Sequence, residues 1–226
     1  MKAILLFSLM FLLCGASFAH GVADEDKAFL QQSSGTHLIP FLYLGAKHMV
    51  TGYDHLLFLC GVIFFLYRLG EVGKYVTLFA LGHSTTLLYG VLSRTHVNAY
   101  VVDAIIGFSV VYKALDNIGG FKRLFGFQPD TRAAVLIFGF FHGFGLATKL
   151  QEFALSRDGL VANIIAFNVG VEIGQLLALS AILIVMVFWR RTENFHRNAF
   201  AANVALMTAG FVLVGYQLTG YAVSQQ

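Results

Sequence analysis

The sequence predicts an all-α fold, a polytopic integral membrane bundle of about six transmembrane helices that follow a cleaved signal peptide. Of the 226 residues, 58% are hydrophobic and only 12% are charged, about half the charged share of a soluble domain. The 2 prolines suit long unbroken helices, and the 23 glycines suit close helix packing in lipid. The mean hydropathy of +0.73 makes the bilayer the expected partner, and we expect no nucleic-acid partner.

Residues 1–19 have the features of a secretory signal peptide. Lys2 provides the charged start, residues 3–13 are apolar, and residues 17–19 (Ser-Phe-Ala) form a cleavage site of the small-x-small type. Cleavage after Ala19 predicts a mature chain that begins at His20 on the periplasmic side.

The mature chain is expected to have two parts. Residues 20–36 form a polar periplasmic segment, and residues 37–226 form the transmembrane helical domain. Cys14 is lost with the signal peptide, so Cys60 has no partner for an intramolecular disulfide and is expected to pack as a small apolar residue. Whether His20 binds a metal stays open, although a terminal residue is more often part of a flexible tail.

Six apolar segments have about the 20 residues that a helix needs to cross a bilayer. They are 51–68, 75–93, 98–116, 132–150, 160–188 and 199–220. The shorter apolar stretch 37–47 is expected to be an interfacial helix or the lead-in to the first span.

The basic residues predict how these spans are oriented. Fourteen Lys and Arg residues follow the signal peptide (15 in the chain, less Lys2), and with a periplasmic N-terminus nine of them fall on the cytoplasmic side. Basic residues collect on that side of bacterial inner-membrane proteins. The signal peptide and the charge distribution therefore predict the same orientation, with both termini in the periplasm.

Ionisable side chains inside the spans are few, and such side chains are costly and usually functional. The candidates are His48, Asp54 and His55 at the start of the first span, His83 in the second, His142 in the fourth and Glu172 in the fifth. The predicted orientation places all of them in one layer, which extends from the bilayer midplane into the periplasmic half of the bilayer. The polar residues Ser84, Asn168 and Gln175 lie beside them.

Helix periodicity predicts that these side chains converge. Asn168, Glu172 and Gln175 follow an i, i+4, i+7 spacing, which places them on one helix face. His48 and His55 share a face if their helix is continuous, although Gly52 between them is a candidate bend. Glycines at small-xxx-small spacing flank both His142 and Glu172, so these polar faces are expected to turn towards neighbouring helices.

Imidazoles together with carboxylates favour a divalent transition metal ion. We therefore predict six ligands, His48, Asp54, His55, His83, His142 and Glu172, with Ser84, Asn168 and Gln175 around them. Two other interpretations stay open: a hydrogen-bonded network that only determines helix packing, and a proton relay.

Residues 48–55 (His-Met-Val-Thr-Gly-Tyr-Asp-His) resemble the His-x5-Asp-His motif of the HupE/UreJ family of bacterial membrane proteins. Three later blocks, at 81–87, 141–147 and 167–175, resemble the second HupE/UreJ-like subgroup of that family. Together the four blocks lie within residues 37–188, most of the mature chain.

The resemblance implies a nickel or cobalt permease of the inner membrane, associated with hydrogenase or urease maturation. His48, Asp54 and His55 match the motif that takes up the metal, and His83, His142 and Glu172 match the later blocks. The ion would meet the first three residues and then pass to the others. The metal stays open among nickel, cobalt and zinc, and the partners among a homo-oligomer and a metalloenzyme-maturation protein.

Two alternative functions use the same residues. An intramembrane zinc-dependent hydrolase would take His55, His83 and His142 as ligands, with Asp54 or Glu172 as the general base. A non-catalytic membrane metal sensor or assembly factor is the other. Because the sequence lacks the His-Glu-x-x-His motif, we expect a transporter rather than an enzyme.

Overall fold

The computed structural model describes residues 34–151 and 157–225, and all regular secondary structure in these residues is helical. The predicted all-α membrane bundle is confirmed. The described residues form eight helices: α1 (Leu38–Thr51), α2 (Tyr53–Ile63), α3 (Leu69–Ser93), α4 (Ala99–Asn117), α5 (Gly120–Phe125), α6 (Thr131–Gln151), α7 (Leu160–Arg190) and α8 (Asn194–Ser224). The predicted signal peptide, with Cys14, and His20 lie outside the described residues.

Local signals determine several helix ends. Asn98 begins α4, since its side chain accepts a hydrogen bond from the Val101 N–H at 3.2 Å. Asp130 begins α6 in the same way, accepting from the N–H groups of Arg132 and Ala133 at 2.7 and 3.1 Å. Such caps satisfy N–H groups that have no partner within the helix.

Helices α1 and α7 run parallel in close contact. At their starts, Asn163 accepts from the His37 N–H at 2.7 Å and donates to the Gly35 carbonyl at 2.9 Å. Further along, a Cβ on Gly170 would lie 1.9 Å from the carbonyl oxygen of Leu42. Only glycine permits this approach, so the small-residue pattern predicted for helix contact serves that purpose.

Helices α3 and α6 form a second parallel pair, again through glycine. A Cβ on Gly139 would lie 2.6 Å from the Phe79 carbonyl oxygen, and one on Gly143 would lie 2.2 Å from the His83 carbonyl oxygen. This pairing places His83 of α3 at the same level as α6 residues near His142.

Helix α4 is antiparallel to both of its main partners. Towards α8, Gly220 lies against Tyr100 and Gly210 lies against Val111. Towards α6, the side chain of Asp103 pairs with Lys149 at 2.7 Å. From α1 through α8, the long helices therefore alternate in direction as successive membrane crossings must.

The outer surface of the bundle is apolar and its interior holds polar groups. Large side chains such as Ile184, Phe188 and Phe211 are exposed, whereas His55, His83 and other polar residues are buried. This distribution reverses that of a soluble protein and is the one expected of a protein whose solvent is lipid.

Four of the described helices, α3, α6, α7 and α8, are each long and apolar enough to cross a membrane. Helix α4 has 19 residues and carries Asp103, Lys113 and Asp116 on buried or half-buried positions. Four predicted spans correspond to α3, α4, α6 and α7, and the sixth to α8, with ends that differ by up to six residues.

The predicted bounds of the first span, 51–68, are wrong. The helix is broken at Gly52, and α2 ends at Ile63. The stretch 37–47 belongs to α1 and packs along α7. The guanidinium of Arg190, at the end of α7, donates to the carbonyls of Ile63, Phe64 and Leu66 and so satisfies acceptors that the short helix α2 leaves unpaired.

Candidate metal site at a helix break

The candidate site is built around the break at Gly52. The Gly52 N–H still donates to the His48 carbonyl at 2.9 Å, but its ψ of 97° turns the chain out of the α1 helix. A Cβ at this position would lie 2.8 Å from Nδ1 of His55. Glycine therefore lets the His55 ring fold back over the break, which brings it 5.1 Å from the His48 ring, centroid to centroid.

Asp54 holds the His55 ring in one orientation. Its Oδ1 accepts from the backbone N–H of His55 at 2.9 Å and lies 3.0 Å from Nδ1 of the same residue. Both residues are buried. Because a carboxylate only accepts hydrogen bonds, Nδ1 carries the proton, and in the neutral ring Nε2 carries the lone pair that a metal ion would bind.

His142 on α6 is oriented in the same manner by the backbone. Its Nδ1 lies 2.7 Å from the carbonyl oxygen of Phe138, which can only accept, so Nε2 again carries the lone pair. That Nε2 is buried and has no hydrogen-bond partner among the described residues. The His142 ring lies 4.9 Å from the His55 ring.

His83 on α3 completes the group. It is fully buried, its ring lies 6.2 Å from that of His55, and neither of its nitrogens has a hydrogen-bond partner among the described residues. Buried polar groups are normally paired. His83 therefore presents buried ring nitrogens that are available to bind a ligand.

Two phenylalanines pack against these rings, and a third packs behind them. Phe79 lies 4.9 Å from His142 and 6.3 Å from His55, and Phe58 lies 5.5 Å from His142. Phe138 adjoins Phe58 at 5.9 Å. His48 is the most accessible of the four histidines, and aromatic rings pack around His142.

Of the six predicted ligands, the structure brings five together: His48, Asp54, His55, His83 and His142. The described residues nevertheless contain no set of three or more His, Cys, Asp or Glu side chains arranged to hold one metal ion. The imidazoles come from four helices and meet as neighbouring pairs.

Glu172 is not brought to the histidines, because its side chain is exposed on α7. The shared face predicted for it is wrong: Asn168 and Gln175 are buried, and Glu172 is not. At about 100° per residue, Glu172 is rotated about 40° beyond Asn168 and about 60° from Gln175. Since Gly170 packs against α1 on the other side, this rotation carries Glu172 out of the buried arc.

The neighbouring polar residues differ in their surroundings. Oδ1 of Asn168 and Nε2 of Gln175 are buried without a hydrogen-bond partner in the described part of the chain. Ser84 is half-buried. Thr86, two residues later, is the hydroxyl that joins the helices, donating to the Phe140 carbonyl at 2.7 Å.

Sequence reasoning missed the buried pair formed by Asp103 and Lys149. Asp103 lies within the predicted span 98–116, so the signal that identified the other ionisable residues was present for it too. Lys149 falls at the end of a predicted span, where a lysine normally extends to the membrane surface.

Comparison with families of known proteins matches residues 24–225 to the model described as HupE / UreJ protein. The chain belongs to the HupE / UreJ family. The match covers both halves of the helix break and every histidine of the site in this HupE / UreJ protein. Comparisons with curated proteins and with solved structures gave no significant match.

Proposed function

We propose that the protein is a permease that moves a divalent transition metal ion, nickel or cobalt first, across the bacterial inner membrane. The observation that carries the proposal is the meeting of His48, His55, His83 and His142 inside a bundle of membrane-crossing helices. Ionisable groups in such positions mark ion paths in membrane proteins. Membership of the HupE / UreJ family supports the same conclusion.

The helix break supports transport in particular. Transporters place their binding sites at discontinuous helices, whose free backbone ends and flexible side chains face the substrate. Here the break at Gly52 lies between His48 and the Asp54–His55 pair. The metal ion in this proposal is a substrate and not a resident cofactor.

The spacing of the donors also favours passage over permanent retention. A resident catalytic zinc has three protein ligands around one point, whereas the four rings here meet as neighbouring pairs, with centroids 4.9 to 6.2 Å apart. Conduction needs sites that bind an ion and release it to the next site. Pairs of imidazoles, from His48 to His55 and on to His142 or His83, provide such a sequence.

The donor types suit borderline metals. Neutral imidazoles with a carboxylate bind nickel, cobalt and zinc well, whereas thiolates would select softer ions. Cys60, on α2, is free and half-buried. The proposed ligands are His48, Asp54, His55, His83 and His142.

Uptake of radiolabelled nickel by bacteria that express the protein tests this function. We expect accumulation above that of cells without the protein. We expect this accumulation to be lost in His55→Ala, because the His55 ring lies 4.9 to 6.2 Å from each of the other three histidine rings. His96→Ala is the matched control, since His96 is exposed in the loop between α3 and α4. Equal accumulation in wild type and His55→Ala, at equal protein level, would contradict the proposal.

A further inference from the structure

Asp103 of α4 and Lys149 of α6 form an ion pair inside the bundle. Nζ of Lys149 lies 2.7 Å from Oδ2 of Asp103, and the two side chains are 14% and 5% exposed. Removing two charges from water costs free energy that their attraction does not always recover. A pair in such a position within a membrane protein calls for a functional explanation.

The pair borders the histidine group on α6. His142, Gly145 and Lys149 follow an i, i+3, i+7 spacing and share one face of that helix. A Cβ on Gly145 would lie 3.4 Å from Oδ1 of Asp103. The carboxylate therefore lies against α6 about one turn from His142, or about 4.5 Å along the helix axis.

The pair also borders the group on the side of the helix break. Asp103 interacts electrostatically with Asp54 and His55, and Lys149 does so with His48. The contact with Gly145 of α6 places the pair near His142, and these electrostatic interactions agree with that position.

The two carboxylate oxygens of Asp103 differ in their hydrogen bonding. Oδ2 is held by Lys149, whereas Oδ1 is buried without a hydrogen-bond partner among the described residues. It lies where α4 packs closely on α6, since a Cβ on Gly145 would lie 3.0 Å from Cδ1 of Ile106 as well as 3.4 Å from this oxygen. A buried carboxylate oxygen in this state is an acceptor suited to a cation.

The charges of the site lead to the inference. When the imidazoles are neutral, the carboxylates of Asp54 and Asp103 carry two negative charges, which balance the two positive charges of a divalent cation. The positive charge of the Lys149 ammonium is then in excess. We propose that Asp103 is a further ligand for the metal ion and that Lys149 is a tethered cation, which occupies Asp103 until the ion displaces it. This inference rests on the proposed function and names residues that its ligand set does not include.

A tethered ammonium suits this role because it is a compact charge on a flexible stem, which moves aside more readily than a guanidinium. Its competition lowers the affinity of the site for metal. It also returns to Asp103 as the ion moves on, which favours release, and conduction requires release as much as binding.

The test measures the dissociation constant for Ni²⁺ of the purified full-length protein by calorimetry, with no other ligand present. Lys149→Gln removes the competitor, and we expect it to bind Ni²⁺ about tenfold more tightly. Lys149→Arg holds Asp103 through a bidentate pair, and we expect it to bind Ni²⁺ about tenfold more weakly. Opposite shifts from two substitutions at one position are not expected of a lysine that only stabilises the fold.

Two further variants control for charge and folding. Asp103→Asn combined with Lys149→Gln leaves no buried charge unpaired, and we expect it to fold and to bind Ni²⁺ more weakly than Lys149→Gln alone. Lys113→Gln removes another buried lysine, paired with Asp116 towards the opposite end of α4, and should leave the Ni²⁺ affinity unchanged.

The outcomes separate this inference from the proposed function. If the wild type binds Ni²⁺ and His55→Ala does not, while both Lys149 variants bind as the wild type does, the inference is overturned and the permease stands. Should Lys149→Gln fail to fold, Lys149→Arg decides alone, since equal or tighter binding by it contradicts the competition. A wild type that neither binds nor accumulates nickel overturns both.

Discussion

At the scale of one residue, a substitution of the buried His83 tests whether the histidines form a metal path or a network that only stabilises helix packing. An unpaired polar group in the interior costs about 1–3 kcal/mol, and replacing it by an apolar group of similar shape is nearly neutral or stabilising. We predict that His83→Leu keeps the thermal stability of the wild type or raises it by up to about 1 kcal/mol. The same variant should lose nickel accumulation, because the proposed metal path would lose one of its imidazoles.

Thermal unfolding of the purified variants in detergent, together with nickel uptake, checks this prediction. His96→Leu, at an exposed position, should change neither quantity. A clear loss of stability in His83→Leu would show that the ring takes part in a hydrogen-bonded network that maintains helix packing, which is the interpretation the sequence also allowed.

The site residues that the sequence predicted are those whose ionisable side chains are unusual in an apolar segment. His55, His83 and His142 are ionisable groups in apolar segments, and the structure buries all three. Glu172 met the same criterion and is exposed. Spacing along one helix does not determine how that helix is rotated, because rotation depends on which face its partner occupies.

Glycine faces determine the helix pairs at the scale of elements. A Cβ on Gly143 would lie 2.2 Å from the His83 carbonyl oxygen and 2.2 Å from Oγ1 of Thr86. We predict that Gly143→Ala destabilises the protein by about 1–3 kcal/mol, the range for an overpacked interior. It should also reduce nickel uptake, because separating α3 from α6 moves His83 away from His142.

Gly73→Ala is the matched control for this prediction, measured by thermal unfolding in detergent. Gly73 is also helical, in α3, but a Cβ there would meet nothing within 4 Å. Alanine is favoured over glycine within a helix by roughly 0.5–1 kcal/mol, so this variant should be as stable as the wild type or slightly more stable. Equal destabilisation by both variants would contradict a role for close approach.

The break in the first span illustrates what the sequence could not predict for an element. Hydropathy is continuous across residues 51–68, so it predicts one helix. The actual ends depend on Gly52, which was noted as a candidate bend, and on Arg190, which is 127 positions from Ile63 in the chain. A helix end that is satisfied by a distant side chain leaves no local signal.

The alternation of helix directions belongs to the scale of the whole molecule. The parallel pairs α1–α7 and α3–α6 and the antiparallel pair α4–α8 agree with crossings that begin at one side of the membrane and return. At the start of α3 and α6, Glu71 pairs with Lys74 at 2.8 Å and approaches Arg132 at 3.6 Å. Both helices therefore begin on the same side, and that side carries basic residues.

The orientation of the bundle can be measured because loops on opposite sides have exposed residues. Basic residues favour the cytoplasmic side, which predicts that the loop before α6 faces the cytoplasm and the loop before α4 faces the periplasm. We predict that, in a Cys60→Ala background, Val97→Cys reacts with a membrane-impermeant maleimide in intact bacterial cells and that Phe127→Cys reacts only after lysis. Both positions are exposed in non-helical loops, at 37% and 58%, so access to solvent alone does not separate them.

Labelling of Phe127→Cys but not Val97→Cys in intact cells would place the His48 side of the site towards the cytoplasm, and the proposed direction of nickel uptake would then be wrong.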